Sequence, residues 1–231
     1  SSSLTNAMPN WARWRNEVFG FTLEPAVIAY APSRLPPDLP ASREALLRLL
    51  ERNSGSLMGR VGTYDIQISG VGYLFALYDE RTSSTFWGMA NALGRVGTRL
   101  YANTGAILDD LDNGTLDVAY NVLGSYALAR HQGRDKIEVI QPADFPTTMM
   151  RTGFVVKGTN QRGAAVRFMR HLIARPTADD TSGPFPLPSL ALNAQNGPQS
   201  IIPLEPALLT YLDGLKRQKF VNACDVAILK N

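Results

Sequence analysis

The residues best suited to holding a ligand lie in the stretch ISGVGY, where Ser69, Gly70, Val71, Gly72 and Tyr73 follow the short apolar run VGTYD. Glycine lets the backbone approach a bound group closely because it has no Cβ. A helix opening here offers N–H groups without intrahelical partners and the positive end of its dipole, which favour an anion or a polarised oxygen. The Ser69 hydroxyl adds a donor, and it would serve equally as the N-cap of a plain strand-to-helix turn. Two more junctions repeat the pattern of small and polar residues after an apolar run. One is Asn103, Thr104 and Gly105 after RLYA; the other runs from Asn121 through Ser125 and Tyr126 after LDVAY. If the strands before them are neighbours, three helix starts converge on one crevice, where ligands of open α/β sheets sit.

Machinery to transform a ligand is missing. Nucleophilic hydrolysis needs a nucleophile, a base and an orienting group within hydrogen-bond reach, and the chain has no G-x-S-x-G elbow. Of the two histidines, His131 ends a helical pattern, where a cation suits the dipole, and His171 sits among arginines. Asp109, Asp110 and Asp112 fall in the first turns of a predicted helix and read as a solvated face. The single cysteine, Cys224, reads as a packed thiol; it rules out an internal disulfide framework and a Cys-based zinc cluster. A metal site would be built mainly from oxygens. The glycine spacing of ISGVGYLF fits neither a P-loop nor a dinucleotide fingerprint, and no cofactor is expected.

Composition places these residues in an ordinary globular chain. With 231 residues, 45% hydrophobic and 19% charged, it can form one large domain or two small ones. A net charge of +3 without a basic run gives no dedicated nucleic-acid surface. No apolar run is long enough for a transmembrane helix. SSSLTNAMPN has neither the charged n-region nor the apolar h-region of a signal peptide, as in a mature or truncated chain.

Strands and helices alternate around the three junctions. Trp11, Trp14 and Val18 fall at helical spacing, with Asn6 or Asn10 as cap. Residues 19–31 read as a strand pair or one strand broken at Pro25. The four prolines of residues 32–40 form a stiff connector and a lobe boundary. Ser42 caps a helix with Leu46, Leu47, Leu49 and Leu50 as its stripe. From Val61 a βα rhythm begins: strands at 61–65, 98–101, 116–121 and 136–141, and helices at 71–79, from Ser83 or Ser84 to Leu93, from Gly105 and from Gly124. Residues 142–150 read as irregular, and 153–157 as a strand. A helix from Arg162 carries Ala165, Phe168, Met169 and Leu172 on one face, a long loop spans 177–199, and a single helix runs over 206–230. The alternation predicts an α/β fold with a parallel-containing sheet covered on both faces.

This order of features resembles the extracellular solute-binding proteins of ABC importers, and among them the ferric-iron-binding class. The resemblance lies in x-V-I-x-Y before a Pro-rich step, S-G-x-G-Y, R-L-Y-A-N-T-G before a helix, D-V-A-Y-N, and G-F-V-V-K-G-T-N before an A-A-x-x-F helix. It implies a two-lobed type II periplasmic-binding fold with mixed sheets and an incomplete first lobe. Residues 1–34 would be a remnant of that lobe and the crossover, 35–145 the second lobe, and 146–231 the return plus a C-terminal helix. It also implies a periplasmic protein that binds a small anionic or polar solute non-covalently in an interlobe cleft. The ligand contacts would be Ser69, Gly70, Val71, Gly72, Tyr73, Asn103, Thr104, Asn121, Ser125 and Tyr126. Its partners would be a membrane permease and, in a signalling role, a sensor kinase.

Two departures stand out. The iron-binding members hold the metal with adjacent tyrosines, where this chain has Gly124, Ser125 and Tyr126. Ferric ion wants several hard, anionic oxygens, so free iron is not the expected ligand. The βαβα stretch that opens such proteins is also missing before Trp11. The alternatives are an α/β hydrolase or transferase, which would need a base near Ser69 or Ser125, and the sensing module of a transcription regulator.

Overall fold

A computed structural model describes residues 8–35, 41–131, 136–144, 147–174 and 200–229. The chain forms two compact units: unit 1 from Ser1–Glu24 and Thr148–Thr210, and unit 2 from Pro25–Thr147 and Tyr211–Asn231. The fold is α/β with mixed strand pairing, as the alternation of strands and helices implies.

Unit 2 is built on strands β3 (Val61–Tyr64), β4 (Arg99–Tyr101), β5 (Val118–Leu123) and the second half of β2 (Val18–Tyr30), in the order β4-β3-β5-β2. β3 runs parallel to both of its neighbours, with Gly62 opposite Arg99 on one side and Ala119 on the other. Parallel strands need long crossovers, usually helical. Here these are α2 (Gly70–Thr82) with α3 (Phe86–Arg95), and α4 (Thr104–Asp112). β2 is antiparallel to β5 and to β6 (Glu138–Ile140). α1 (Arg43–Arg52) starts where expected, with the Ser42 hydroxyl accepting from Ala45 N–H at 3.1 Å. Leu46 and Leu50 of its stripe are buried against Val61, Leu93 and Val118. Gly114 has φ +86 just beyond α4, a left-handed position that favours glycine. α5 (Gly124–His131) follows β5 directly.

α7 (Gly214–Leu229) also belongs to unit 2. The expected single helix over 206–230 is instead a 3₁₀ turn at Pro206–Leu212 and then α7. Leu209, Leu212 and Leu215 are exposed, while Phe220, Val221 and Cys224 are buried against Tyr73 and Phe86. The leucine spacing is helical, but the face that finds a partner begins one turn later. Burial pushes the Cys224 thiol up to about 12, helped by Asp225 and Glu80. It is a packed thiol.

Unit 1 departs further from the periodicity. The expected N-terminal helix is a 3₁₀ turn at Asn10–Ala12 and a hairpin of β1 (Arg13–Trp14) with β2. Arg15 and Asn16 both have positive φ, at 50° and 54°, and Glu17 N–H reaches Trp14 C=O at 3.0 Å. That is the geometry of a tight primed hairpin turn, and it takes up the Trp11–Trp14 spacing. Asn6, the other candidate cap, lies outside the described residues. β2 runs unbroken through Pro25, where the chain passes from one unit to the other. β7 occupies Thr147–Phe154, not 153–157. It neighbours β2 and β8 (Ser200–Ile201), with Ile202 N–H donating to Thr148 C=O at 2.9 Å. α6 (Arg162–Ala174) buries Met169 and Ile173 against Leu23 and Met150, whereas Phe168 is exposed. The predicted loop over 177–199 lies outside the described residues.

Candidate functional site

Because β4, β3 and β5 are adjacent and parallel, their C-terminal ends lie side by side on one edge of unit 2. Each strand feeds a helix from that edge: β3 leads to α2, β4 to α4 and β5 to α5. The three predicted junctions are therefore neighbours. This depends on register and strand order, which local sequence does not show.

At the first junction Ser69 is a true N-cap, its hydroxyl accepting from Gly72 N–H at 3.2 Å. The cap leaves the amides of Gly70 and Val71 outside the helix's own bonding. Gly70 is exposed and Val71 half-buried. Gly72 is buried, and a Cβ there would lie 2.3 Å from Tyr64 Cβ, so this second glycine is required by close packing of α2 on β3. Tyr73 is engaged elsewhere. Its hydroxyl donates to Tyr211 C=O at 2.9 Å, and its ring meets Phe220 edge-on at 6.0 Å with the Arg217 guanidinium 5.2 Å away. Burial raises the Tyr73 pKa, opposed by Arg217.

At the second junction Asn103 caps α4, accepting from Ala106 N–H at 3.0 Å, and its residue is exposed. Thr104 is buried, with its hydroxyl 2.6 Å from that of Tyr64, and so ties α4 to β3. The third junction has Ser125 half-buried and Tyr126 exposed. Gly124 is buried, and a Cβ there would approach Pro25 to 3.0 Å. Among the ten predicted contacts, Gly70, Val71, Asn103, Ser125 and Tyr126 thus reach the surface of the edge, and Ser69, Gly72, Tyr73, Thr104 and Asn121 lie beneath it.

Unit 2 also holds a buried polar cluster that sequence reasoning missed. Arg43 and Asp79 form an ion pair, Nη1 to Oδ1, at 2.8 Å, with side chains only 3% and 2% exposed. Asn121 bridges the two, donating to Asp79 Oδ2 at 3.0 Å and accepting from Arg43 Nη2 at 3.3 Å. The Thr147 hydroxyl donates to Asp79 Oδ1, and Arg43 Nε has no hydrogen-bond partner among the described residues. Asp144 caps α1 by accepting from the backbone N–H groups of Arg43 at 2.6 Å and Glu44 at 3.0 Å. Burial alone would lower the Arg43 pKa, but Tyr120, Asp79 and Asp144 hold it above the ordinary guanidinium value. One sequence signal pointed here. Arg43 is the first residue of a helix and Asp79 lies in the last turn of another. Each charge opposes its own helix dipole, so each needs a partner from elsewhere.

His131 Nδ1 lies 2.5 Å from Ile137 C=O, and His171 is exposed on α6 in unit 1. Among the described residues no three His, Cys, Asp or Glu side chains are grouped to hold a metal ion.

Solved structures have a similar fold. The substrate-binding protein of an ABC transporter from Agrobacterium tumefaciens is 29% identical, with a TM-score of 0.88 over 98% of this chain and 70% of that one. A periplasmic thiamin-binding protein matches at 13% identity and a TM-score of 0.63, over 94% of this chain and 67% of that one. A Trichodesmium protein in complex with iron and citrate ligands matches at 20% identity and a TM-score of 0.62, over 98% and 75%. Thiamin on one and iron with citrate on another separate the fold from the choice of ligand. No protein-family model and no curated protein matches the sequence.

Proposed function

We propose that this chain is the periplasmic solute-binding component of an ABC importer, and that it captures a small polar or anionic solute without covalent chemistry. The observation that carries this reading is the alignment of three helix starts on three adjacent parallel strands of unit 2. The likeness to the Agrobacterium substrate-binding protein supports the same role. The amides of Gly70 and Val71, outside the bonding of α2, and the positive ends of three dipoles at one edge favour an oxygen-rich or negatively charged group. Gly70, Asn103 and Tyr126 are exposed there, and half-buried Ser125 completes the rim. The partner this role requires is the importer's membrane permease, and the compartment is the periplasm. Among the described residues no helix is long and apolar enough to cross a membrane.

The role is binding, not turnover, because Ser69 is used as a cap and His131 ends α5, at the opposite end of that helix from the edge. A thermal-shift screen with phosphate, sulfate, citrate, ferric citrate and thiamin tests this. A captured solute raises the melting temperature by mass action, and the Gly72→Val variant, whose side chain would collide with Tyr64, abolishes the rise. Chemical conversion of a bound solute, detected by mass spectrometry, would overturn the binding-only role. A rise that survives in the Gly72→Val variant would place the solute elsewhere.

A further inference from the structure

The buried Arg43–Asp79–Asn121 cluster bears on how the third helix start is aimed, a question that rests on the capture role proposed for that edge. β2 and β5 pair regularly except between Val27 and Ala29. Val27 is opposite Val122 and Ala29 is opposite Ala119, so β5 carries one extra residue across this step. That is a β-bulge. Asn121 lies within it with φ +63, the left-handed region, which asparagine enters more readily than most residues. Bulges bend a strand and redirect the chain beyond them, and α5 begins three residues later at Gly124.

The side chain of Asn121 is suited to holding such a bend. An amide has a donor and an acceptor at one end, so it can satisfy an acid and a base at once. Here the donor meets Asp79 and the acceptor meets Arg43. Asp79 belongs to α2, the helix of the first junction, and Arg43 to the start of α1. Asn121 is 7% exposed, so its amide serves the protein's interior.

We infer that Asn121 is a positioning residue: the bulge it occupies sets the direction in which β5 delivers α5, and the Arg43–Asp79 pair locks that bulge to α2. The first and third helix starts are then held in one fixed relation, which a solute bridging both requires. The resemblance made Asn121 a ligand contact; the geometry makes it the residue that places the contacts.

Hydrogen exchange on the ligand-free full chain tests this. The amides of Leu128 and Ala129 bond to the carbonyls of Gly124 and Ser125 by helix geometry, so they report the first turn of α5. Leu108 and Asp109 report the matching turn of α4. Asn121→Gly keeps the left-handed backbone and removes the amide; Asn121→Ala also opposes the backbone conformation. In Asn121→Gly the α5 amides exchange at least about ten-fold faster while the α4 amides are unchanged, and Asn121→Ala is worse at α5. Asp79→Asn, which keeps the shape and one acceptor oxygen, gives the same pattern at smaller size and serves if the Asn121 variants do not fold. Equal acceleration in both helices would make Asn121 an ordinary core residue, and no acceleration in α5 would remove the lock; either overturns the inference. A wild type that no solute stabilises would instead refute the capture reading and leave the exchange result standing.

Discussion

Each unit has an ion pair with a buried carboxylate, and the pairs are built very differently. In unit 2, Asp79 receives hydrogen bonds from Thr147 and Asn121 besides its pairing with Arg43, and both partners are almost wholly buried. In unit 1, Glu24 is completely buried and its Oε1 lies 2.9 Å from Arg151 Nε, but neither oxygen receives a well-aligned hydrogen bond from the described residues. Arg151 remains 34% exposed. Desolvating two charges is repaid only when the remaining lone pairs and protons are satisfied. The unit 2 pair is therefore a structural joint, nearly complete apart from Arg43 Nε, while the unit 1 pair is incomplete.

The largest expected effect is at Asp79. Replacing it with Ala strands a buried guanidinium and costs unit 2 about 3–5 kcal/mol, measured by urea unfolding. All eight tyrosines belong to unit 2, whereas Trp11 and Trp14 belong to unit 1. In a Trp87→Phe background, tryptophan fluorescence therefore follows unit 1 and tyrosine signals follow unit 2. A loss of less than about 1 kcal/mol at Asp79 would show that the pair is not a joint.

Alkaline pH is the next lever. Burial pushes the Tyr120 phenol up to about 12, with Asp79 and Asp144 adding and Arg43 opposing. The fold holds the neutral form, so this stabilisation is complete below the ordinary phenol value near about 10 and is lost as pH rises toward about 12. The expected loss is about 2–3 kcal/mol in unit 2. Tyr101, also pushed up to about 12, mainly by burial and by its hydrogen bond to Asp110, acts in the same direction. Unit 1, which has no tyrosine, keeps its tryptophan signal through that range; loss of both signals at one pH would break the contrast.

A cap change probes the edge itself. Ser69→Ala removes the acceptor for Gly72 N–H and lowers the stability of unit 2 by about 1 kcal/mol, read as a fall in its unfolding midpoint. Solute affinity falls with it if this helix start faces the solute, so a stability loss with unchanged affinity moves the site away from Ser69. The smallest effect is expected in unit 1. Glu24→Leu removes a poorly bonded carboxylate and leaves Arg151 in contact with water, so the change stays within about 1 kcal/mol of neutral. A loss as large as that at Asp79 would show that Glu24 has partners in solution that complete its pair.

Much of unit 2 was legible in the sequence because its signals are local. Ser42, Ser69 and Asn103 cap helices as expected, and the hydroxyl or amide of each does so within three residues. Unit 1 was less legible because its decisions are made by distant strands. The Trp11–Trp14 spacing suits a helix, but pairing with Val18 and Phe19 wins. Residues 147–152 carry no strong alternation, yet they become strand because β2 and β8 lie on either side. Phe168 has the right helical spacing for a core residue and is exposed, since the buried face of α6 is set by Met169 and Ile173.

Caps, glycines and periodicity act over a few residues, so the α/β class, the capped helices and the three small, polar junctions are legible in the chain alone. Only the tertiary structure decided that the junctions are neighbours, since adjacency comes from the parallel registers of β3 with β4 and β5. It also decided which junction residues are exposed and which are buried. Arg43, Asp79, Asn121 and Thr147 are far apart along the chain, and each is locally neutral or locally unfavourable. Charge neutralisation and hydrogen bonding in a buried site bring them together, and that energy exists only once the fold is complete.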